Sequence, residues 1–584
     1  MNSAQPGNPK SLKEAMPYEI KFQNVSFSYA GSTVSAIKNI NLSIGQGEII
    51  LITGPAGSGK TTLCSCINGL IPHYHDGNLQ GEVTVGPYST RKARVGGLAS
   101  IVGMVFQDPE SQIVTNSVMD EVAFGPENFG VPRDEINQRV MEALQATRLV
   151  GYEDREPQNL SGGEQQACVI AATYAMNPEV YVMDEPLANL DPAGRAHILK
   201  LVIQVAKDRG KTLVIVEHAL EDVLPLVDRV IVMNQGEIVR DGPTHEVLSA
   251  GDIPHVFKRP DVYRLAEEFN LQQKLMTAEE FSNQFRSKYR LNPLQLSNHN
   301  NGHNPGNKPV IEFKNVTFHY RPGTPALHDV SLTIHAGELV AILGRNGSGK
   351  TTLVRHVIGL QQPSSGSVTV VGKDVATTPT HILAQDVGFC FQNPNHQIVS
   401  FNVRDEMAFG LKTHNIDPAE YESRIREALE IVDMTGYLDT EVFDLGKGQK
   451  QRLALASVLT LKPHILVIDE PTTGQDPEMI DGIFKIIKRL NEMGTTILLI
   501  THRIDYAAMF ARRAIVLQHG KVSFDGHIRD LLENTALMHE NSLDLPEITK
   551  LSNQFKDHGV PPWTVEYNEM KDYLRQMVEV PHGN

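Results

Sequence analysis

Along this chain, short apolar runs alternate with polar turns and longer mixed stretches, and the order of the elements occurs twice. Phe22-Gln23-Asn24-Val25-Ser26-Phe27-Ser28-Tyr29 and Phe313-Lys314-Asn315-Val316-Thr317-Phe318-His319-Tyr320 alternate apolar and polar positions, the pattern of a half-buried strand. Glu48-Ile49-Ile50-Leu51-Ile52-Thr53 and Glu338-Leu339-Val340-Ala341-Ile342-Leu343 are apolar and strand-like, and each runs through glycines into a helix-like segment. Later apolar strands are expected at Val180 to Met183 and Thr212 to Glu217, with counterparts at Ile465 to Ile468 and Thr496 to Thr501. Matched landmarks keep an offset of 284 to 291 positions, so the chain holds two copies of one domain with few insertions. The expected boundaries are a flexible start over 1–17, a first domain over 18–250, a linker over 251–308, a second domain over 309–533 and an extension over 534–584. Within the linker, 262–289 suits short helices and the polar stretch 297–307 suits a flexible connection, its His299 and His303 reading as solvated because no carboxylate or thiolate lies nearby.

Length agrees with the repeat: 584 residues exceed the roughly 250–300 that one core can hold. Apolar residues at 41% and charged residues at 21% are those of an ordinary globular chain. A net charge of −16 argues against nucleic acid as a general partner, because phosphate backbones select basic surfaces. The four cysteines form no C-x-x-C pair, which leaves no sign of a disulfide framework or zinc site, and Cys64 and Cys66 suit packing as small apolar groups. No apolar run nears the ~18 residues of a membrane span, and the polar start lacks a signal-peptide core.

The glycines after the apolar runs change the picture from fold to chemistry. Gly54-Pro55-Ala56-Gly57-Ser58-Gly59-Lys60-Thr61-Thr62 and Gly344-Arg345-Asn346-Gly347-Ser348-Gly349-Lys350-Thr351-Thr352 are phosphate loops in strand-to-helix context. Glycines let backbone N–H groups converge on phosphate at a helix N-terminus, where the dipole favours anions. Lys60 and Lys350 are expected to reach the β and γ phosphates, and Thr61 and Thr351 to bind magnesium. The cofactors so implied are ATP and Mg²⁺.

Other residues complete the candidate sites. Asp184 and Asp469 end apolar strands where open α/β sheets bind ligands, and suit Mg²⁺ held through water. Glu185 and Glu470 follow them and suit polarising the attacking water, while Gln107 and Gln392 suit a place near the metal and that water. His218 and His502 follow apolar strands and suit a hydrogen bond to the γ-phosphate. Because phosphoryl transfer asks mainly for positioning and charge stabilisation, this set is chemically sufficient. Tyr29 and Tyr320 end early strands and suit either stacking on adenine or ordinary strand packing.

Leu160-Ser161-Gly162-Gly163-Glu164-Gln165-Gln166 resembles the signature of ABC-type ATPases, and with the other motifs the resemblance covers nearly the whole chain. It implies an α/β fold: two homologous ABC-type P-loop nucleotide-binding domains, each with a mixed β core and a helical subdomain. It also implies head-to-tail pairing, within or between chains, in which Ser161, Gly162 and Gly163 complete the nucleotide site of the other copy. The second signature departs from the family pattern, with Gly446 in place of Ser and Lys447 in place of Gly before Gly448. The site with Lys350, Glu470 and His502 therefore receives the intact signature and is expected to turn over faster than the site with Lys60, Glu185 and His218.

The residues after each glutamine indicate a subtype. Gln107-Asp108-Pro109-Glu110-Ser111-Gln112 and Gln392-Asn393-Pro394-Asn395-His396-Gln397 share a second glutamine, and continue to Asp120-Glu121-Val122-Ala123-Phe124-Gly125 and Asp405-Glu406-Met407-Ala408-Phe409-Gly410. Together with Thr472-Thr473-Gly474-Gln475-Asp476 and Leu545 to Leu551, these are similar to the ATPases of energy-coupling-factor importers. That resemblance implies a peripheral protein on the cytoplasmic face of the cell membrane, bound to a transmembrane coupling subunit and a substrate-capturing membrane subunit. The cargo would be a vitamin, a vitamin precursor or a transition metal ion. A tandem sugar-importer ATPase and a ribosome-associated tandem ATPase stay open as alternatives; a DNA-repair ATPase would bring zinc-binding cysteines that this chain lacks.

Overall fold

Each copy of the repeat folds as a six-stranded mixed sheet faced by a four-stranded antiparallel sheet, in the computed structural model of the chain. The structure describes residues 17–578 apart from 188–189, 219, 250–258, 273–276, 295–307, 322, 473–474 and 476. The polar stretch 297–307 with His299 and His303, most of the 1–17 segment, and Thr473, Gly474 and Asp476 lie outside the described residues.

In the first copy the large sheet runs, edge to edge, Glu237–Pro243, Arg229–Asn234, Ile49–Thr53, Thr212–Val216, Val180–Asp184 and Val102–Val105. All neighbours are parallel except the Glu237–Pro243 pair with Arg229–Asn234. Ile49–Thr53, Val180–Asp184 and Thr212–Val216 are buried at every position, which explains why they read as unbroken apolar runs. The smaller sheet places Ile20–Tyr29 between Ile37–Ile44 and Gly77–Val85. Its alternating Ile20, Phe22, Val25 and Phe27 meet Ile50, Ile52, Leu63 and Ile67 in one core, with Cys64 and Cys66 packed there as small apolar groups. The second copy repeats this with Leu339–Leu343 at the centre, between Thr496–Ile500 and Arg513–Gln518.

A helical subdomain is inserted between the strands. In the first copy the helices Val118–Asn128, Arg133–Ala146 and Gly162–Met176 bury Val122, Val140, Leu144, Cys168 and Ala171 against one another. Ser117 starts the first of these by accepting the Asp120 N–H at 3.1 Å. Asn177, at φ 52°, ends the last in the left-handed conformation that asparagine tolerates.

The chain divides into two compact units, the first ending at Lys258 and the second starting at Arg259. Within the second unit, the two helices expected before the second domain, Asp261–Glu268 and Ala278–Lys288, do not stand as an isolated tether. They share a core with Glu547–Asn553 and Tyr567–Met577 of the C-terminal extension, built from Phe281, Phe285, Phe555, Leu551, Leu574 and Met570. Polar links seal it: Glu547 Oε2 accepts the Asp261 N–H at 2.9 Å, and Arg286 donates to both oxygens of Asp557 at 2.8 and 3.1 Å. Three fully buried phenylalanines contribute roughly 2–3 kcal/mol each to this module. Among the described residues, no helix is long and apolar enough to cross a membrane.

Phe285→Ala is expected to cost about 3–5 kcal/mol of local stability. Hydrogen exchange should show 278–288 and 547–577 losing protection together while Leu339–Leu343 stays protected; loosening of one segment alone would contradict a shared core.

Candidate active site

Parallel register gathers the site. Ile52 lies opposite Val216 and Ile231, and Asp184 opposite Val216, so three strands end level and release the phosphate loop, the Asp-Glu turn and His218 at one edge. In the second copy Ile342 opposes Ile500 and Asp469 opposes Ile500, with the same result. Central strands flanked on both sides by parallel neighbours form the crevice where open α/β sheets bind ligands.

The phosphate loops need their glycines for space. At Gly54, φ is 142° and a Cβ would fall 2.0 Å from Met233 O; at Gly59, φ is 100° and a Cβ would fall 2.4 Å from Ala36 O. Gly344 and Gly349 repeat this against Leu517 O and Ala326 O. Gly57 and Gly347 instead have positive φ and open space around them, on the face left for a ligand. Lys60 Nζ donates to Gly54 O at 2.9 Å and Pro55 O at 2.8 Å, and Lys350 Nζ to Gly344 O at 2.8 Å and Arg345 O at 3.0 Å. Each ammonium is thus folded over its own loop, and burial pushes the Lys350 pKa down.

Buried oxygen atoms mark where a nucleotide and its cation fit. Ser58 Oγ, Ser348 Oγ and Asp184 Oδ1 are buried without a hydrogen-bond partner. Thr61 hydrogen-bonds Asp184, and Thr351 Oγ1 donates to Asp469 Oδ2 at 3.3 Å, pairing the hydroxyl and carboxylate oxygens that Mg²⁺ prefers. Burial raises the carboxyl of Asp184 to about 6 and that of Asp469 to about 7, in each case helped by the neighbouring glutamate. The hydroxyls of Thr62 and Thr352 meet Tyr29 Oη at 3.1 Å and Tyr320 Oη at 3.2 Å. Those bonds fix each tyrosine beside its loop.

Glu185 and Glu470 sit at φ 51° and 46°, a left-handed backbone that costs a non-glycine residue roughly 1–3 kcal/mol and recurs at functional sites. The turn is held by Glu185 N–H donating to Val216 O at 2.9 Å and Glu470 N–H to Ile500 O at 3.0 Å. His218 Nε2 lies 3.2 Å from Glu185 Oε1, and His502 Nε2 lies 3.2 Å from Glu470 Oε1. The copies then differ. Gln107 Nε2 donates to Glu185 Oε2 at 2.6 Å, whereas Gln392 is exposed.

The signature helices differ at their first residue. Ser161 caps Gly162–Met176 in a reciprocal box: its Oγ accepts the Glu164 N–H at 3.4 Å while Glu164 Oε2 accepts the Ser161 N–H at 2.9 Å. Gly446 keeps only the return arm, its N–H donating to Gln449 Oε1 at 2.9 Å. Gly163 and Gly448 are buried, and at Gly448 a Cβ would fall 2.5 Å from Met479 Sδ, so a larger residue there would require that methionine side chain to shift.

Several working residues carried little sequence signal. The second glutamine of each loop shapes it from inside: Gln112 accepts the Phe106 N–H at 3.1 Å and donates to Met104 O at 2.9 Å, while Gln397 accepts the Phe391 N–H at 3.2 Å and donates to Ala454 O at 2.7 Å. Glu121 and Glu406 close the far end, each taking two successive backbone N–H groups at 2.9 to 3.0 Å. Glu217 is buried beside Glu185, and burial raises its carboxyl to about 8. A charged residue ending an apolar strand, matched by Thr501 in the other copy, was the one visible sign of it.

These arrangements define a class: P-loop ATPases with two nucleotide-binding copies in one chain. The ABC transporter family profile matches residues 37–188 and 327–473, and the chain belongs to that family. The protein is an ATPase that uses ATP with Mg²⁺. A Caldanaerobacter subterraneus subsp. tengcongensis protein named "Putative ABC transporter ATP-binding protein" is 38% identical over 550 residues, covering 92% of this chain and 96% of that one. A Methanosarcina acetivorans protein of the same description is 33% identical over 581 residues, covering 96% and 94%. A solved chain, cbiO1 from Clostridium perfringens, described as part of the ABC transporter complex cbiONQ, is 31% identical and covers 41% of this chain and 97% of its own, with a TM-score of 0.38.

Mg²⁺ binds a carboxylate and not a carboxylic acid, so with Asp469 as the expected ligand the half-saturating Mg²⁺ concentration for ATP turnover should rise as pH falls through about 7, approaching ten-fold per unit. Titrating Mg²⁺ at pH 8, 7 and 6 checks this, and Asp469→Asn should flatten the dependence while weakening binding throughout.

Proposed function

We propose that this chain is the ATP-hydrolysing subunit of an energy-coupling-factor importer, peripheral on the cytoplasmic face of the cell membrane. Its partners are a transmembrane coupling subunit and a substrate-capturing membrane subunit, and its cargo is a vitamin, a vitamin precursor or a transition metal ion. The observation that carries this reading is an apolar surface placed just beyond the second glutamine loop. Phe401 and Phe443 are each 74% exposed, with ring centroids 6.3 Å apart, and Val399 and Phe409 are exposed on the same segment and the helix that follows.

That surface is held firmly. Glu406 pins Val399 and Ser400, and the Phe401 carbonyl accepts the Val442 N–H at 2.8 Å. Exposed aromatic groups on a fixed backbone suit a protein partner, since a soluble surface otherwise gains nothing from displaying them. The loop that carries Val399 and Phe401 begins at Gln392, so part of this surface shares one segment with the proposed nucleotide site.

The two copies are proposed to turn over unequally. Head-to-tail pairing, the arrangement the family implies, gives the Lys350 and Glu470 site the intact Ser161-Gly162-Gly163 and leaves the Lys60 and Glu185 site with the signature lacking a serine hydroxyl. A missing hydrogen bond to a charged group is worth roughly 1.5–3 kcal/mol, enough to separate the rates.

Phe401→Ser with Phe443→Ser is expected to abolish recovery of the chain with membrane proteins while ATP binding in solution stays within two-fold. Retention of the membrane complex, or recovery with ribosomes and no membrane protein, contradicts the importer reading. Steady-state turnover should fall about ten-fold or more with Glu470→Gln and less with Glu185→Gln; equal losses contradict the asymmetry.

A further inference from the structure

Glu217 sits between the strand Thr212–Val216 and His218, and the nucleotide chemistry described so far leaves it without a task. It is 4% exposed, and both of its carboxyl oxygens receive backbone N–H groups. Leu187 donates to Oε1 at 2.9 Å and His218 donates to Oε2 at 3.2 Å. Leu187 follows the Asp184-Glu185-Pro186 turn, so one side chain spans from the end of one strand to the turn beyond its neighbour. Burying a carboxyl costs several kcal/mol unless it is hydrogen-bonded, and these two donors offset that cost only in this backbone arrangement. The arrangement is thereby selected.

The second copy solves the same problem with other atoms. Thr501 stands at the position of Glu217, and its hydroxyl accepts only as far as the Arg503 N–H, at 3.0 Å. The His502 N–H goes instead to Glu470 Oε2, at 3.1 Å. The turn after Pro471 is closed locally, with Gln475 Nε2 donating to Pro471 O at 2.8 Å. So the glutamate that faces the attacking water also holds the histidine backbone in the second copy. In the first copy Glu217 takes that N–H, and the Glu185 oxygen lies 2.6 Å from Gln107 Nε2.

We propose that Glu217 is a positioning residue of the first site. By holding the His218 and Leu187 backbones, it lets Glu185 Oε2 turn to Gln107, whereas in the second copy Glu470 Oε2 takes the His502 N–H; the contact to the histidine ring is common to both. Glu217 touches neither nucleotide nor water; it acts through Glu185. This inference goes beyond the importer reading and is independent of it, because it concerns hydrolysis by the isolated chain.

Single-turnover hydrolysis of radiolabelled ATP by the full-length Glu470→Gln chain, with protein in excess, reads the first site alone. Adding Glu217→Thr is expected to slow that turnover about ten-fold, with the half-saturating ATP concentration changed less than two-fold, since misplacing a reacting group raises the barrier without weakening binding. Adding Glu217→Gln, which keeps the side-chain length but only one of the two acceptor oxygens, should give an intermediate loss of about three-fold. An unchanged rate in Glu217→Thr overturns the proposal. Equal losses of rate and ATP affinity in both variants, tracking a lower melting temperature, also overturn it, because they indicate a purely structural residue. A parent with no measurable single turnover overturns it too, and leaves the membrane-partner reading untouched.

Discussion

The parallel register of three short strands is the constraint on which the rest depends. Ile52, Val216 and Asp184 end level with one another, and each strand is only five residues long. A slip of one residue would turn the buried set of a strand to the opposite face and move its terminal group by about 3.3 Å. Complete burial of these strands therefore fixes the chemistry at their ends. The glutamate, the histidine and the phosphate loop are held near one another by a core that contains none of them.

Much of this was legible in the sequence because it is local. Unbroken apolar runs, glycine-rich loops and an Asp-Glu-Pro turn announce themselves within a few residues, and the matched landmarks recur at nearly constant spacing. What escaped was non-local. The partnership of Phe281 and Phe285 with Phe555 spans about 270 positions, so the amphipathic segments before the second copy could be read as helices but not assigned a partner. Gln112 and Gln397 were recognised as a pattern, yet their work as internal braces depends on carbonyls brought near by folding. Gln397 reaches Ala454 on the signature helix while Gln112 reaches its own strand, a difference that identical motifs conceal.

Duplication left the two copies alike in plan and unlike in wiring. Each has a lysine folded over its loop, a tyrosine tied to a threonine and a glutamate facing a histidine. The departures collect around Glu185 and Glu470 and around the signature: Glu217 against Thr501, Gln107 engaged against Gln392 exposed, Ser161 against Gly446. Surface chemistry diverges as well, since Asn116 and Gln158 stand where Phe401 and Phe443 stand in the other copy. Val114 and Phe124 are exposed on the first copy as Val399 and Phe409 are on the second, so a partner that contacts both copies meets a patch that only the second enlarges with two aromatic rings.

The shared core of the connecting helices and the C-terminal extension has a consequence for synthesis. A ribosome releases Asp261–Glu268 and Ala278–Lys288 some 260 residues before Glu547–Asn553 can arrive to cover them. During that interval the first copy has all its strands, whereas the segment after it displays Phe281 and Phe285. A chain broken off in the second copy keeps those aromatic groups exposed, the kind of surface that chaperones and proteases recognise. Closure of this module therefore waits on the synthesis of the whole second copy.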